Sequence, residues 1–129
     1  MTDIEQIRLD PDPYEPFRLS QGFRVGDLVI VSGQAAIDEK GEIVGLGDFE
    51  AQAEQVFRNL ARVLEAAGSG LDRVVKVTIY LTDMANFPKI VELRGKWFTA
   101  PYPADTIVEV SSLALPGLEI EIEAIAVTR

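Results

Sequence analysis

The spacing of hydrophobic positions along this chain changes period several times, and each change marks an element. Leu28, Val29, Ile30 and Val31 form a continuous β-branched run, too short for a helix, which predicts a buried strand. From 49 to 67 the period lengthens. Ala53, Val56, Phe57, Leu60, Leu64 and Ala67 follow the 3,1,3,4,3 spacing of one helical face, with Asp48 placed to cap the start and Gly68 to stop it. Alternation returns at Val75, Val77, Ile79 and Leu81, separated by Lys76, Thr78 and Tyr80, as in a half-buried strand. Phe87, Ile90, Val91, Arg94, Trp97 and Phe98 share one face of a second helix, which Asn86 can cap and whose first turn tolerates Pro88. Pro101 and Pro103 end it. Ala104 to Leu113 reads as a strand and Pro116-Gly117 as a turn. Leu118, Ile120, Ile122, Ala124 and Ala126 then alternate with Glu119, Glu121 and Glu123 in a final strand.

The first twenty residues are polar and carry Pro11, Pro13 and Pro16. Within them Ile4 to Leu9 can form an edge strand, and the rest reads as an arm or loop. Gly33, just after the Leu28–Val31 run, suggests a bulge or a close approach to the backbone. Lys40-Gly41 marks a turn before a short strand, Glu42-Ile43-Val44. The order β-β-(β)-α-β-α-β-β predicts one α+β domain over 1–129, a mixed sheet with both helices on one face.

Composition narrows the chemistry. Cysteine and histidine are both absent. That excludes disulfides, Cys-His and Ser-His-Asp catalysis, two-histidine ribonuclease mechanisms and the usual zinc sites. Any acid or base must be Asp, Glu, Lys, Tyr, a terminal group or water. Twelve basic against 21 acidic residues give a net charge of −9. No basic footprint for nucleic acid or an anionic membrane surface is present. No apolar run reaches spanning length, and the first residues are acidic where a signal peptide would be basic. The expectation is a soluble cytoplasmic protein without nucleic-acid or membrane partners.

Several residues invite two readings. Gly45-Leu46-Gly47-Asp48-Phe49-Glu50 begins like a phosphate loop but lacks the third glycine and the lysine, and its acids would repel phosphate, so it reads as a turn and cap. Glu119, Glu121 and Glu123 form either a solvated face or, if Glu121 lies in a groove or interface, a desolvated acid/base. Glu109 poses the same choice. Asp105 is either a turn or capping residue or a ligand contact. Trp97 and Phe98 belong to a core or an interface.

Ordered blocks resemble the RidA/YjgF/UK114 family, also labelled endoribonuclease L-PSP. They are Val25-Gly26-Asp27-Leu28-Val29-Ile30-Val31-Ser32-Gly33-Gln34, Glu50-Ala51-Gln52-Ala53, Asn59-Leu60 and Val63–Gly68, then Val75–Met84, Pro103-Ala104 with Val108-Glu109-Val110, and Ile120–Ala126. The resemblance runs from about Ser20 to the C-terminus. It implies a chorismate-mutase-like α+β unit and a homotrimer with a small-molecule cleft between subunits. It also implies hydrolysis of reactive enamines and imines without a metal or organic cofactor. The carry-over is uneven. Gly33 matches the position whose backbone lies beside the ligand, and Glu121 matches the water-positioning glutamate. The pocket tyrosine is replaced by Leu19, with Phe17 able to fill similar space, and the helix asparagine by Val91. Ile107 would line the cleft. Asp105 stands where the active branch has a carboxylate-clamping arginine, which predicts that 2-aminoacrylate is not the substrate. Three functions follow: a divergent imine/enamine deaminase or related hydrolase, in which Asp105 could pair with an ammonium or iminium; a non-catalytic trimer binding a metabolite or protein; and, last, an endoribonuclease.

Overall fold

The computed structural model describes residues 3–129, so the first two residues of the expected N-terminal arm lie outside the described residues. The strands are β1 (Ile4–Ile7), β2 (Gly22–Val25), β3 (Leu28–Ala35), β4 (Val74–Leu81), β5 (Ala104–Glu109) and β6 (Ile120–Val127); the helices are α1 (Phe49–Ala66) and α2 (Phe87–Trp97). They build one sheet in the order β1-β2-β3-β6-β4-β5. All neighbours are antiparallel except β4 and β5, which run parallel with α2 as their crossover. The mixed α+β sheet is the one the periodicities predict.

Helix α1 buries Ala53, Val56, Phe57, Leu60, Val63 and Leu64 against the sheet. Asp48 caps it by accepting from the Ala51 N–H at 3.1 Å. It ends in a Schellman motif: Gly68 takes φ +78°, its N–H bonds Glu65 O, and the Ser69 N–H bonds Leu64 O. Two polar residues also sit on the buried face. Gln52 ties the Gly45 and Gly117 turns to Glu119, and Asn59 donates to the carbonyls of Ala35 and Ile37. They fix the loops at both ends of the α1–sheet contact. Helix α2 packs through Ile90 and through Trp97, whose ring stacks on Phe57 at 5.3 Å.

Local rules lost to tertiary context in five places. Strand β2 has no signature in the sequence, because Gly22 and Arg24 break its alternation; pairing with β3 around Gly26, at φ +61°, creates it. The expected strand at 42–44 shrinks to a single bridge between Ile37 and Ile43. Strand β5 stops at Glu109 rather than Leu113, and the Glu109 carboxylate accepts from the Met84 N–H at 2.8 Å, which settles it as a turn cap. A register shift between Val74 and Lys76 buries Val74 and turns Val75 outward. Asn86 occupies the N-cap of α2, but its side chain makes no capping bond; Asp83 caps the preceding 3₁₀ turn through the Ala85 N–H instead.

The helix-free face of the sheet stays uncovered in the single chain. Phe23, Ile30 and Ile125 lie side by side across β2, β3 and β6, and Ile30 is 45% exposed. Among the described residues no helix is long and apolar enough to cross a membrane.

Candidate functional site

The site begins at a fault in β3. Between Val31 and Gln34 the register against β6 shifts, and Gly33 sits within the shift. Tyr14, from the proline-rich arm, closes it. Its hydroxyl donates to Gly33 O at 2.6 Å and accepts from the Ala35 N–H at 3.1 Å, so one side chain serves two backbone groups at the fault. A buried relay holds the arm in place: Asp12 accepts from the Tyr14 N–H and from Gln21, and Gln21 accepts from Gln34. Burial, aided by the negative charges of Glu121 and Asp12, pushes the Tyr14 phenol up to about 12. This hydroxyl keeps its proton and serves as structure.

Glu121 lies on β6 opposite Ala35, between the buried Ile120 and Ile122. Its carboxylate rests on Gly33: a Cβ added there would lie 2.6 Å from Oε2. Among the described residues no hydrogen bond engages Glu121. Burial, with the nearby charge of Glu123 second, raises its pKa above the ordinary glutamate value. The carboxyl looks into a cavity of about 110 Å³, walled by Tyr14, Phe17, Leu19, Gly33, Ala35, Ile37, Ala114, Leu115 and Leu118. That is small beside the roughly 300–1,000 Å³ of a typical ligand pocket.

Gly33 has no positive φ, so alanine is acceptable to the backbone, and the nearest atoms its Cβ would meet all belong to the Glu121 side chain. The Gly33→Ala variant should therefore keep its melting temperature and displace the carboxylate. A misplacement of about 1 Å can cost on the order of a hundredfold in rate. Parallel thermal melts and turnover assays check this; equal rates would show that the carboxylate position is unimportant.

The six residues singled out from the sequence separate into two groups. Phe17, Gly33 and Glu121 meet at the cavity, joined there by Leu19. Val91, Asp105 and Ile107 do not line it. Val91 is exposed on α2, while Asp105 and Ile107 pair with Val77 and Ile79 on the helix-covered face of β5. Asp105 Oδ2 accepts from Arg94 Nε at 2.9 Å, so this carboxylate already has a cationic partner. Glu123 accepts from the Tyr80 hydroxyl on the open face, and Glu119 is held by Gln52. Gly45 and Gly47, at φ +78° and +76°, form the turn that leads to the Asp48 cap. Among the described residues no group of three potential ligands could hold a metal ion.

Tyr14 lines the cavity although no motif marks it in the sequence. An aromatic among prolines beside Asp12 was the available signal for Tyr14.

The family model described as Endoribonuclease L-PSP matches residues 10–128. A RutC family protein of Pyrococcus horikoshii is 46% identical over 117 residues, 90% of each chain. The 2-iminobutanoate/2-iminopropanoate deaminase of Dermatophagoides farinae is 34% identical over 119 residues, 92% of this chain and 91% of that one. A solved structure of RidA from an Antarctic Psychrobacter superposes with a TM-score of 0.87 at 38% identity, covering 95% of this chain and 98% of that one.

Proposed function

Since the chain belongs to the RidA/YjgF/UK114 family, the one described as endoribonuclease L-PSP, we propose that it hydrolyses the C=N bonds of imines, and of enamines that tautomerise to them, in a cavity completed by a homotrimer. The observation that carries this reading is Glu121: a carboxyl with no hydrogen bond among the described residues, raised in pKa by burial, facing an apolar cavity. The name of the Dermatophagoides relative supports it.

The reaction asks for one group able to give and take a proton. Protonated Glu121 passes its proton to the imine nitrogen, making the carbon electrophilic. The resulting carboxylate takes a proton from water as the oxygen adds to that carbon, giving a carbinolamine. Glu121 then protonates the amine. The C–N bond breaks as the hydroxyl proton returns to Glu121, releasing a carbonyl compound and ammonia. One water is consumed and Glu121 ends as it began. Tyr14 keeps the backbone beneath the carboxylate rigid, and Phe17 and Leu19 lower the local polarity, which favours the protonated acid.

The trimer is supported by two features of the chain. The open row of Phe23, Ile30 and Ile125 needs cover, and the cavity is smaller than most ligand sites. In this reading the β5–α2 edge of one subunit, with Val91, Asp105 and Ile107, completes the cavity of the next in a chorismate-mutase-like assembly. Asp105 stands there in an ion pair with Arg94 and offers no carboxylate clamp, so 2-aminoacrylate binds weakly and is turned over slowly. Ribonuclease action finds no support: the chain has no histidine and the cavity no basic side chain.

Ammonia release from a panel of imines generated in solution tests the function. Acceleration is expected for neutral and branched members and little for 2-aminoacrylate. A panel with no acceleration at all would sink the hydrolase reading in favour of a binding protein.

A further inference from the structure

We propose that Glu123, anchored by Tyr80, is a positioning residue for the reaction: its negative charge keeps a proton on Glu121 at the start of each cycle, ready for the imine. This rests on the reading above, in which Glu121 begins protonated.

Alternation along the end of the chain sets Glu119, Glu121 and Glu123 at equivalent positions, yet each meets a different environment. Glu119 precedes β6, and its carboxylate accepts from the Gln52 amide of α1. Glu121 and Glu123 both point to the helix-free face, since Ile120, Ile122 and Ala124 between and beside them are buried on the other. Strand β4 runs alongside, with Tyr80 directly opposite Glu121 and Thr78 opposite Glu123. The Tyr80 hydroxyl donates diagonally to Glu123 rather than to the residue it faces. Glu121 is left with no hydrogen bond among the described residues. The Glu123 carboxylate is held one strand period away, a rise of about 7 Å.

Two carboxyl groups this close do not share protons equally, and their surroundings decide which one keeps its proton. The phenol donates to the charged form of Glu123, while Glu121 is half-buried and has no donor. Burial is the first cause that raises Glu121, and the Glu123 charge is the second. The Tyr80 phenol is itself pushed up, first by its bond to Glu123, so it remains a donor. No other charge faces Glu121 among the described residues. Strand β3 presents Gly33 and Ala35 to it, the arm presents Tyr14, and the cavity wall presents Ala114, Leu115 and Leu118. Lys76, on the same face of β4, lies opposite Ile125, one step beyond Glu123, and its amine is bonded to Thr106 and the Val77 carbonyl. The edge that the trimer adds in the reading above carries Arg94 and Asp105 as an ion pair without net charge. Neither Glu123 nor Tyr80 lines the cavity, so both act through Glu121 and not on the substrate.

The test compares the parent chain, E123Q and Y80F, with particle mass and thermal melts alongside. Ammonia release is followed against pH on the imine of the panel that the parent hydrolyses fastest. The rate should fall as pH rises through the Glu121 carboxyl, because the protonated acid starts the reaction. In E123Q the amide still accepts from Tyr80 but carries no charge, so Glu121 gives up its proton at lower pH. The falling limb should move down the pH scale, and at a fixed pH on it the rate should drop roughly two- to fivefold. In Y80F the charge stays but loses its anchor and turns into water, so the limb should move the same way by less. Solution NMR of glutamate labelled at Cδ reads the same proton directly, the Glu121 resonance being the one missing from E121Q. Its midpoint should move down in both variants. A purely structural contact predicts lower melting temperatures with limb and midpoint unmoved in either variant, and that result overturns the proposal. If E123Q does not assemble, Y80F decides alone: an unmoved midpoint overturns it. Release that persists with limb and midpoint unmoved removes the coupling and leaves the hydrolase. A midpoint that moves while the parent chain releases no ammonia removes the hydrolase and leaves the coupling.

Discussion

Glu121→Gln is expected to abolish turnover while leaving the assembly intact. The amide keeps the shape and one acceptor of the carboxylate, but it can neither give the imine its proton nor take one from water. Loss of a positioned general acid/base costs about 10²–10⁴-fold. The stability of the same variant has a definite sign. Burial raises the folded pKa of Glu121 above its unfolded value. Between those two values the folded chain holds more proton than the unfolded one. The stability linked to this group is therefore full below the unfolded pKa and lost as pH rises through the folded pKa. At neutral pH Glu121→Gln should melt no lower than the parent chain, and the two melting curves should converge as pH falls through the carboxyl range. Rate and melting temperature, measured across pH, check both halves. A variant that turns over substrate at the parental rate would remove Glu121 from the reaction.

Ile30→Glu should break the assembly. Ile30 is 45% exposed in the single chain and sits between Phe23 and Ile125 on the uncovered face. In one subunit a glutamate there meets water and costs little, so the circular dichroism spectrum should stay native. In a trimer closed over this face it would bury an unpaired carboxylate near the matching residues of two other copies, at a cost of several kcal/mol per ion. Light scattering should then report a single-chain mass at micromolar concentration, with ammonia release lost because each cavity lacks its second wall. A mass equal to that of the parent chain would show that another surface joins the subunits.

The parts of the fold legible in the sequence were those where one period ran long enough to outweigh local noise. Helix α1, with its Asp48 cap and Gly68 stop, and the alternation of β6 both qualify. Strand β2 escaped because four residues around Gly22 and Arg24 carry too little pattern, and its existence depends on a hairpin. The site followed the same logic. Gly33 marks a fault in its strand, whereas periodicity leaves Glu121 between a solvated face and a groove, and the family resemblance is what names it. That one rests on the other depends on a register shift between β3 and β6, which no local spacing encodes. Tyr14 reaches the fault from nineteen residues away, and Arg94 meets Asp105 only once α2 folds back over β5. Pairings of that kind are set by topology, and a reading along the chain cannot anticipate them.

The place of β6 in the sheet bears on how the molecule comes into being. It is the last element in chain order, yet it lies between β3 and β4 and pairs with both. Until it docks, β3 and β4 have no common neighbour and each offers a bare backbone edge. The two halves of the chain can shape their own hairpin and helices early, but they join only through pairings of long sequence separation. Such closure is slow and leaves unpaired edges exposed in the meantime. The nascent molecule is therefore most prone to sticking to its neighbours just before its final strand arrives, and catching that strand from another copy would be its natural route to misassembly.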